Sequence, residues 1–324
     1  MRPNFTSSIR RRGCGLTEGK PLIVIVGPTA VGKTAFALRL ADEFDGEIVS
    51  ADSRQVYRGM DIGTAKPTRE EQRRVRHHLV DIVDPDEEFT LAQYQERAYV
   101  AIAEISRRGK VPFLVGGTGL YIKAVIEGWT IPRVAPNPEL RERLYRQAEE
   151  QGREVLYARL QEVDPQAAAK IDPRNVRRVI RALEVYEATG APISHWQRKA
   201  PPPYRALQIG LTMPRAELYR RIDRRVEQMM AQGLVKEVER LVAQGYGWDL
   251  PSMSGLGYRQ FEGYFKGEIG LNEVMRLIKR DTRRFVRHQY SWFRPKDRAI
   301  RWFDVTRDPY GEIKAAVASF LGQL

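Results

Sequence analysis

The 324 residues carry 54 Lys and Arg against 41 Asp and Glu, a formal charge of +13, and 42% are hydrophobic. That apolar share excludes a disordered chain and predicts one or two globular domains. The single Cys14 excludes an internal disulfide and a thiolate metal cluster, His77, His78, His195 and His288 lack metal-ligand spacing, and no run reaches the ~20 apolar residues of a membrane helix. A soluble protein in a reducing cytoplasm, without a membrane partner, is the expectation.

Residues 1–20 hold five basic side chains against one acid, with neither a secretory apolar segment nor a helical apolar face. A disordered basic tail is expected there rather than a targeting signal. Leu22 to Val26 is an apolar run ending in Gly27-Pro28-Thr29-Ala30-Val31-Gly32-Lys33-Thr34, and Phe36, Ala37 and Leu40 follow at helical spacing. The octapeptide matches GxxxxGK[ST] in full, and a strand before it and a helix after it are the context of a phosphate-holding P-loop. Gly27 and Gly32 let the backbone turn its amides toward a diphosphate, the helix N-terminus adds positive potential, Lys33 neutralises phosphate oxygens and the Thr34 hydroxyl can ligate Mg²⁺.

Further buried-strand runs are expected at Glu47 to Ala51, Leu79 to Val83 and Val111 to Val115, with a helix over Leu91 to Arg107. Ordinary P-loop ATPases end a hydrophobic strand in an acid that positions magnesium. Val111 to Val115 runs instead into Gly116-Gly117-Thr118-Gly119-Leu120-Tyr121, a hydroxyl in flexible backbone, which weakens the ATPase and helicase readings. Glu47 to Ala51 leads into Asp52-Ser53-Arg54-Gln55-Val56-Tyr57. Strand carboxyl ends line the crevice of an open α/β sheet, so Asp52 either faces the site or caps a turn.

Pro132, Pro136 and Pro138 form one breaker cluster and Pro201, Pro202 and Pro203 another. Between them only helical patterns occur, at Glu139 to Glu150, Arg153 to Val163 and Asn175 to Thr189, the last ending at Gly190. Residues 135–205 therefore read as an all-helical insert domain, and 21–134 with 206–324 as a P-loop NTPase-like α/β core, a parallel sheet flanked by helices. Leu207 to Leu211 resumes a strand, helices follow around Leu218 to Gln232 and Val235 to Ala243, and Leu271 to Phe285 has an apolar stripe with Arg on its other faces. Residues 21–134 carry 15 basic and 16 acidic side chains, a net of −1, whereas 206–324 carry 21 and 14, a net of +7. The excess in the later part is consistent with a polyanionic partner.

In this order, GPTAVGKT, ADSRQVY, GGTGLY, RVIRALEVYEATG, GLGYRQF and RRFVRHQYSWFR resemble the bacterial tRNA dimethylallyltransferases, also called tRNA isopentenyltransferases, from Pro21 to about Phe303. The resemblance implies transfer of a dimethylallyl group from its diphosphate to N6 of the adenosine 3′ of the tRNA anticodon, with Mg²⁺ and with the P-loop holding the prenyl donor. It implies Asp52 as the base toward N6, Thr118 as a residue positioning the reacting centre, and Arg225 as a pyrophosphate contact. It assigns tRNA contacts to Asp52, Ser53, Arg54 and Gln55; to Arg141, Arg177, Arg178, Val179, Ile180 and Arg181 on the insert; and to Gly255, Leu256, Gly257, Tyr258, Arg259 and Gln260. The run Arg287, His288, Gln289, Tyr290, Ser291, Trp292, Phe293 and Arg294 completes that set, its aromatics having core packing as the simpler role because two adjoin strand-like sequence. Val31 departs from the family's frequent Ser, removing a hydroxyl near the diphosphate. A monomer is expected. The residues alone leave open a small-molecule P-loop kinase, a non-enzymatic RNA-binding protein and a prenyltransferase for free adenylates.

Overall fold

The computed structural model describes residues 19–196, 198–200 and 204–322, so the expected basic tail lies almost wholly outside the described residues. In chain order the elements begin with strand β1 (Pro21–Val26), helix α1 (Lys33–Glu43), β2 (Gly46–Ala51), α2 (Arg69–Arg74), β3 (His77–His78), α3 (Leu91–Arg107), β4 (Val111–Gly116) and α4 (Gly119–Ile126). Helices α5 (Pro138–Gln151), α6 (Arg153–Val163), α7 (Pro165–Ala168), α8 (Val176–Thr189) and α9 (Ile193–Trp196) follow without a strand. Then come β5 (Arg205–Thr212), α10 (Arg215–Ala231), α11 (Leu234–Ala243), α12 (Glu262–Phe265), α13 (Leu271–Trp292), β6 (Ile300–Asp304) and α14 (Tyr310–Gly322).

All six strands run parallel in the order β3-β2-β4-β1-β5-β6. The apolar run of β1 is continuous because both its faces are covered. Ile23 and Ile25 point into a core shared with Ala37 and Leu40 of α1, while Leu22, Val24 and Val26 point into one shared with Ile102 of α3 and Ile122 of α4. All five β1 side chains are fully buried, and each such aliphatic contributes roughly 1.5–3 kcal/mol. Thr90 opens α3 with a capping box completed by Gln93, which satisfies orphan amides at that end.

One expected strand is broken. Pairing stops at His78, since Leu79 and Asp81 adopt φ of 62° and 55° and turn the chain out of the sheet. The Ile82 and Val83 amides then donate to the Val56 carbonyl, leaving a single bridge between Tyr57 and Val83. Burial of Leu79 in the core offsets its left-handed backbone. A second correction concerns the aromatics of the 287–294 run, two of which were expected to adjoin strand-like sequence: α13 continues unbroken to Trp292 and carries both Tyr290 and Trp292.

Residues Glu127–Pro201 form a compact unit of their own. Leu140, Leu144, Leu156, Leu160, Val179, Ile180 and Leu183 build its core. Asn175 caps α8 through the Arg178 amide, and Gly190, at φ 68°, ends it.

Candidate active site

Strands β1, β2 and β4 stand side by side and end on the same edge of the sheet, at Gly27, Asp52 and Thr118. β4 is the direct neighbour of β1, the place where an ATPase strand would end in an acid, and it ends in Gly116-Gly117-Thr118.

The loop from β1 to α1 winds through Gly27 at φ 147°, Ala30 at φ 65° and Gly32 at φ 107°. A Cβ on Gly27 would lie 2.5 Å from the Leu211 carbonyl oxygen of β5, so close backbone approach as well as the turn requires glycine there. Gly32 caps α1 without a side-chain partner, so the first-turn amides remain available to an anion. The Lys33 ammonium folds back over the loop, donating to the carbonyls of Gly27 at 3.1 Å and Pro28 at 2.8 Å. Burial pushes its pKa down from 10.5 to about 8, against the attraction of Asp52 and with the help of Arg225. Val31 is fully buried in the core between β1 and α1, so its missing hydroxyl does not face the phosphate side of the loop.

Asp52 opens a turn at the end of β2. Its Oδ1 accepts from the Arg54 amide at 2.8 Å and the Gln55 amide at 3.4 Å, and among the described residues no hydrogen bond reaches Oδ2. The carboxylate thus caps the turn with one oxygen and leaves the other without a hydrogen bond among the described residues. The Thr118 hydroxyl accepts from the Ser53 amide at 3.1 Å, while the Thr118 amide donates to Ala51 at 3.1 Å. These bonds fix the ends of β2 and β4 to each other. Gln55 is committed elsewhere: Oε1 accepts from Ser50 Oγ, and Nε2 donates to the carbonyls of Thr64 and Ala65. Arg54 reaches the carbonyls of Pro251 and Ser252 and the Ser254 hydroxyl.

The glycines that end β4 and follow it are not flexible linkers. A Cβ on Gly116 would collide with the Ala51 carbonyl oxygen, one on Gly117 with Gln289 Nε2, and one on Gly119 with the Trp292 ring. Each is glycine because β2 or the last turns of α13 press against it. Gln289, buried in α13, accepts from the Thr29 amide at 2.9 Å and donates to the Gly117 carbonyl at 3.1 Å.

Two cavities meet at this edge. One, of about 540 Å³, is lined by Lys33, Thr34, Asp52, Lys66, Arg221 and Arg225, a strongly cationic wall. The other, of about 500 Å³, runs past Asp52, Thr118 and Arg225 to the apolar side chains of Ile222, Met229, Leu256 and Phe285. Asp52 and Arg225 belong to both. Arg225 is pulled below its ordinary pKa by burial, and the attraction of the Asp52 carboxylate opposes that shift. Oxygen donors suited to Mg²⁺ line the first cavity: the Thr34 hydroxyl and the carboxylates of Asp52 and Glu71. Among the described residues no three His, Cys, Asp or Glu cluster as a metal site, so an ion here would draw its other ligands from phosphate and water.

Of the segment 255–260, Leu256, Gly257 and Arg259 line the second cavity. Tyr258 and Gln260 are buried and hold the fold. Tyr258 donates to Glu237 Oε1 at 2.7 Å, and Gln260 bridges the Gly257 amide and Asp281. Glu237 also accepts from the amides of Asp61, Ile62 and Gly63, which fixes the turn beside both cavities. Along the end of α13 Arg287, His288 and Ser291 are exposed and Gln289 is buried, and just beyond the helix Phe293 is buried and Arg294 exposed. Trp292 packs on Gly119, and Tyr290 meets the Thr212 hydroxyl at 3.0 Å, so these aromatics serve the core. In the helical unit Arg177 and Arg178 are exposed, whereas Val179 and Ile180 lie in its core. Buried Glu184 holds Arg141 through both carboxylate oxygens and also binds Arg181. Sequence reasoning missed Arg221, Arg224 and Lys66 on the cationic wall. The i, i+3, i+4 spacing of Arg221, Arg224 and Arg225 on one helix was the available signal.

Comparison with known proteins agrees with this arrangement. The sequence model of the family described as IPP transferase matches residues 55–296. The tRNA dimethylallyltransferase of Roseiflexus sp. (strain RS-1) is 64% identical over 274 residues, 85% of this chain and 90% of that protein. That of Thermomicrobium roseum is 52% identical over 297 residues, covering 92% and 90%. Among solved structures, the full-length tRNA isopentenylpyrophosphate transferase of Bacillus halodurans superposes with a TM-score of 0.70 at 43% identity, covering 94% of this chain and 97% of that one. A eukaryotic dimethylallyltransferase described as acting on tRNA gives a TM-score of 0.73 at 27% identity, covering 88% and 74%.

Proposed function

The chain belongs to the IPP transferase family, and from that premise we propose that it moves the dimethylallyl group of dimethylallyl diphosphate to N6 of the adenosine 3′ of the anticodon in tRNA, releasing pyrophosphate. The observation that carries this reading is the sharing of Asp52 and Arg225 by a cationic cavity on the P-loop and an apolar one beyond it. A diphosphate fits the first and a prenyl group or a base the second, with the bond to be broken between them.

The loop amides, Lys33 and Arg225 receive the diphosphate, and their positive charge stabilises the negative charge that builds on it as the C1–O bond breaks. A Mg²⁺ held at Thr34 with phosphate oxygens would add to that stabilisation. The exocyclic N6 is a weak nucleophile because its lone pair is delocalised into the ring. Asp52 Oδ2, left open by the turn that occupies Oδ1, accepts the N6 proton as the new N–C bond forms. Thr118 fixes the β4 end against Ser53 and keeps the acceptor side in register with the donor side.

The target adenine must leave a stacked loop to enter the second cavity. Leu256, Gly257 and Arg259 line its wall, and exposed Arg287 and Arg294 supply phosphate contacts on the core, with exposed Arg177 and Arg178 doing so on the helical unit. Mass spectrometry of nucleosides from tRNA incubated with the enzyme and dimethylallyl diphosphate tests the proposal. A dimethylallyl adenosine is the expected product. Turnover of the ATP γ-phosphate with dimethylallyl diphosphate ignored, or modification of free AMP but not tRNA, overturns it.

A further inference from the structure

We propose that Gln289 is a positioning residue for prenyl transfer, a carboxamide that clamps the donor-holding loop to the acceptor-side loop at a fixed separation. This rests on the transferase reading above. The sequence resemblance places Gln289 within a run of tRNA contacts, yet its side chain points inward and is 3% exposed. Its two polar atoms face the two halves of the reaction. Oε1 accepts from the amide of Thr29, inside the P-loop, and Nε2 donates to the carbonyl of Gly117, the residue before Thr118. A carboxamide is an uncharged side chain that supplies an acceptor and a donor from the same planar group, which is what an amide on one side and a carbonyl on the other demand.

The clamp is close-fitting. A Cβ on Gly117 would run into Gln289 Nε2, so the loop after β4 can approach the helix this closely only as glycine. The helix that carries the clamp is anchored independently one turn on, where Trp292 packs on Gly119. Gln289 therefore consumes the Thr29 amide, leaving the diphosphate to the remaining loop amides and Lys33, and ties β4's end to that same loop. Catalysis by approximation is steep in distance, so freeing the two loops from each other lowers the chemical step more than substrate binding.

The test uses the full chain with Gln289→Met, which keeps the length and removes both hydrogen bonds, and Gln289→Glu, which keeps only the acceptor while ionised. Steady-state kinetics with tRNA and dimethylallyl diphosphate, together with filter binding of tRNA, are the readouts. The expected result is a fall in kcat of roughly 10- to 100-fold for both variants, with the tRNA Kd and KM within about twofold of the parent. Protonation of the carboxyl introduced by Gln289→Glu restores a donor toward Gly117, so the kcat of that variant relative to the parent should rise by about tenfold as pH falls from 8 to 6, burial having raised the carboxyl pKa. If Gln289→Met does not fold, this pH profile alone decides. A raised tRNA KM with unchanged kcat assigns Gln289 to RNA contact and overturns the proposal. Parent-like kcat per folded molecule with a lowered melting point makes it merely structural and also overturns it, as does a flat pH ratio. An inactive parent enzyme would instead indict the transferase reading.

Discussion

Replacing Glu237 by Gln exchanges one oxygen for an NH₂ and should disrupt the hydrogen bonds that the carboxylate accepts. In the parent, Oε2 accepts from the amides of Asp61 at 2.9 Å and Ile62 at 2.8 Å, while Oε1 accepts from the Gly63 amide at 3.1 Å and the Tyr258 hydroxyl at 2.7 Å. Glu237 is 6% exposed, so little water stands ready to substitute. A carboxamide has one oxygen, and in either orientation its NH₂ faces two of the four donors. With the NH₂ turned toward Tyr258, whose hydroxyl can reverse to accept from it, the Gly63 amide still loses its acceptor and the Asp61 and Ile62 amides lose charge assistance, a destabilisation of about 3 kcal/mol. For a folding unit of about 250 residues each kcal/mol is worth roughly 2 °C, so the melting point should fall by about 6 °C. Tyr258→Phe removes one donor, spares the other three and should lose only about 1 kcal/mol, roughly 2 °C. Differential scanning calorimetry of the three proteins at one concentration and pH gives the comparison. A Glu237→Gln protein melting within about 1 °C of the parent would refute the claim that this carboxylate organises the 61–63 turn, as would a larger effect from Tyr258→Phe.

Three further outcomes are expected at the site. Asp52→Asn keeps an acceptor for the Arg54 amide but cannot take the N6 proton, so kcat should drop by roughly 10²–10⁴ while tRNA binding by filter assay stays near the parent; full activity would remove Asp52 as the base. Lys33 must be protonated to hold a diphosphate, and burial lowers its pKa to about 8, so kcat/KM for the donor should fall about tenfold per pH unit above that value. For stability the sign is opposite. The folded state binds fewer protons than the unfolded one between pH 8 and 10.5, so this group's destabilisation, full below pH 8, is relieved as pH rises through that window. Arg287→Ala or Arg177→Ala should raise the tRNA KM and flatten the dependence of log Kd on log salt by about one, leaving the donor KM unchanged; an unaltered slope would take these arginines off the phosphates.

Much of the site's position was legible because motif chemistry and sheet geometry agree. The P-loop requires a strand and a helix at fixed offsets, Asp52 follows a buried run, and strand carboxyl ends converge wherever helices cross over a parallel sheet. The long helices were legible from their caps, such as Asn175 and Gly190 around α8. What resisted were features set by partners distant in sequence. Nothing local marks Leu79 and Asp81 as left-handed; Lys66, bonded to Asp81, and the Val56 carbonyl, which receives Ile82 and Val83, hold that turn. Gly116, Gly117 and Gly119 read as flexibility because Ala51, Gln289 and Trp292, which crowd them, lie elsewhere in the sequence. Within the runs carried over by resemblance, a helix presents alternate sides to core and solvent, which a block such as 287–294 cannot resolve until α13 is seated.

The parallel pairing of β1 with β5 sets a schedule for biosynthesis. Ile23 meets Leu207 and Gly27 lies against Leu211, while Gln289 reaches Thr29 from 260 residues away. At about 5–20 residues per second, the phosphate loop leaves the ribosome roughly 13–50 s before the helix that clamps it. Until β5 emerges, about 184 residues after β1, that strand keeps an unpaired edge of apolar residues, an exposed strand of the kind that favours aggregation. A chain truncated before α13 would keep the whole GxxxxGK[ST] sequence and still lack the clamped loop that the motif advertises.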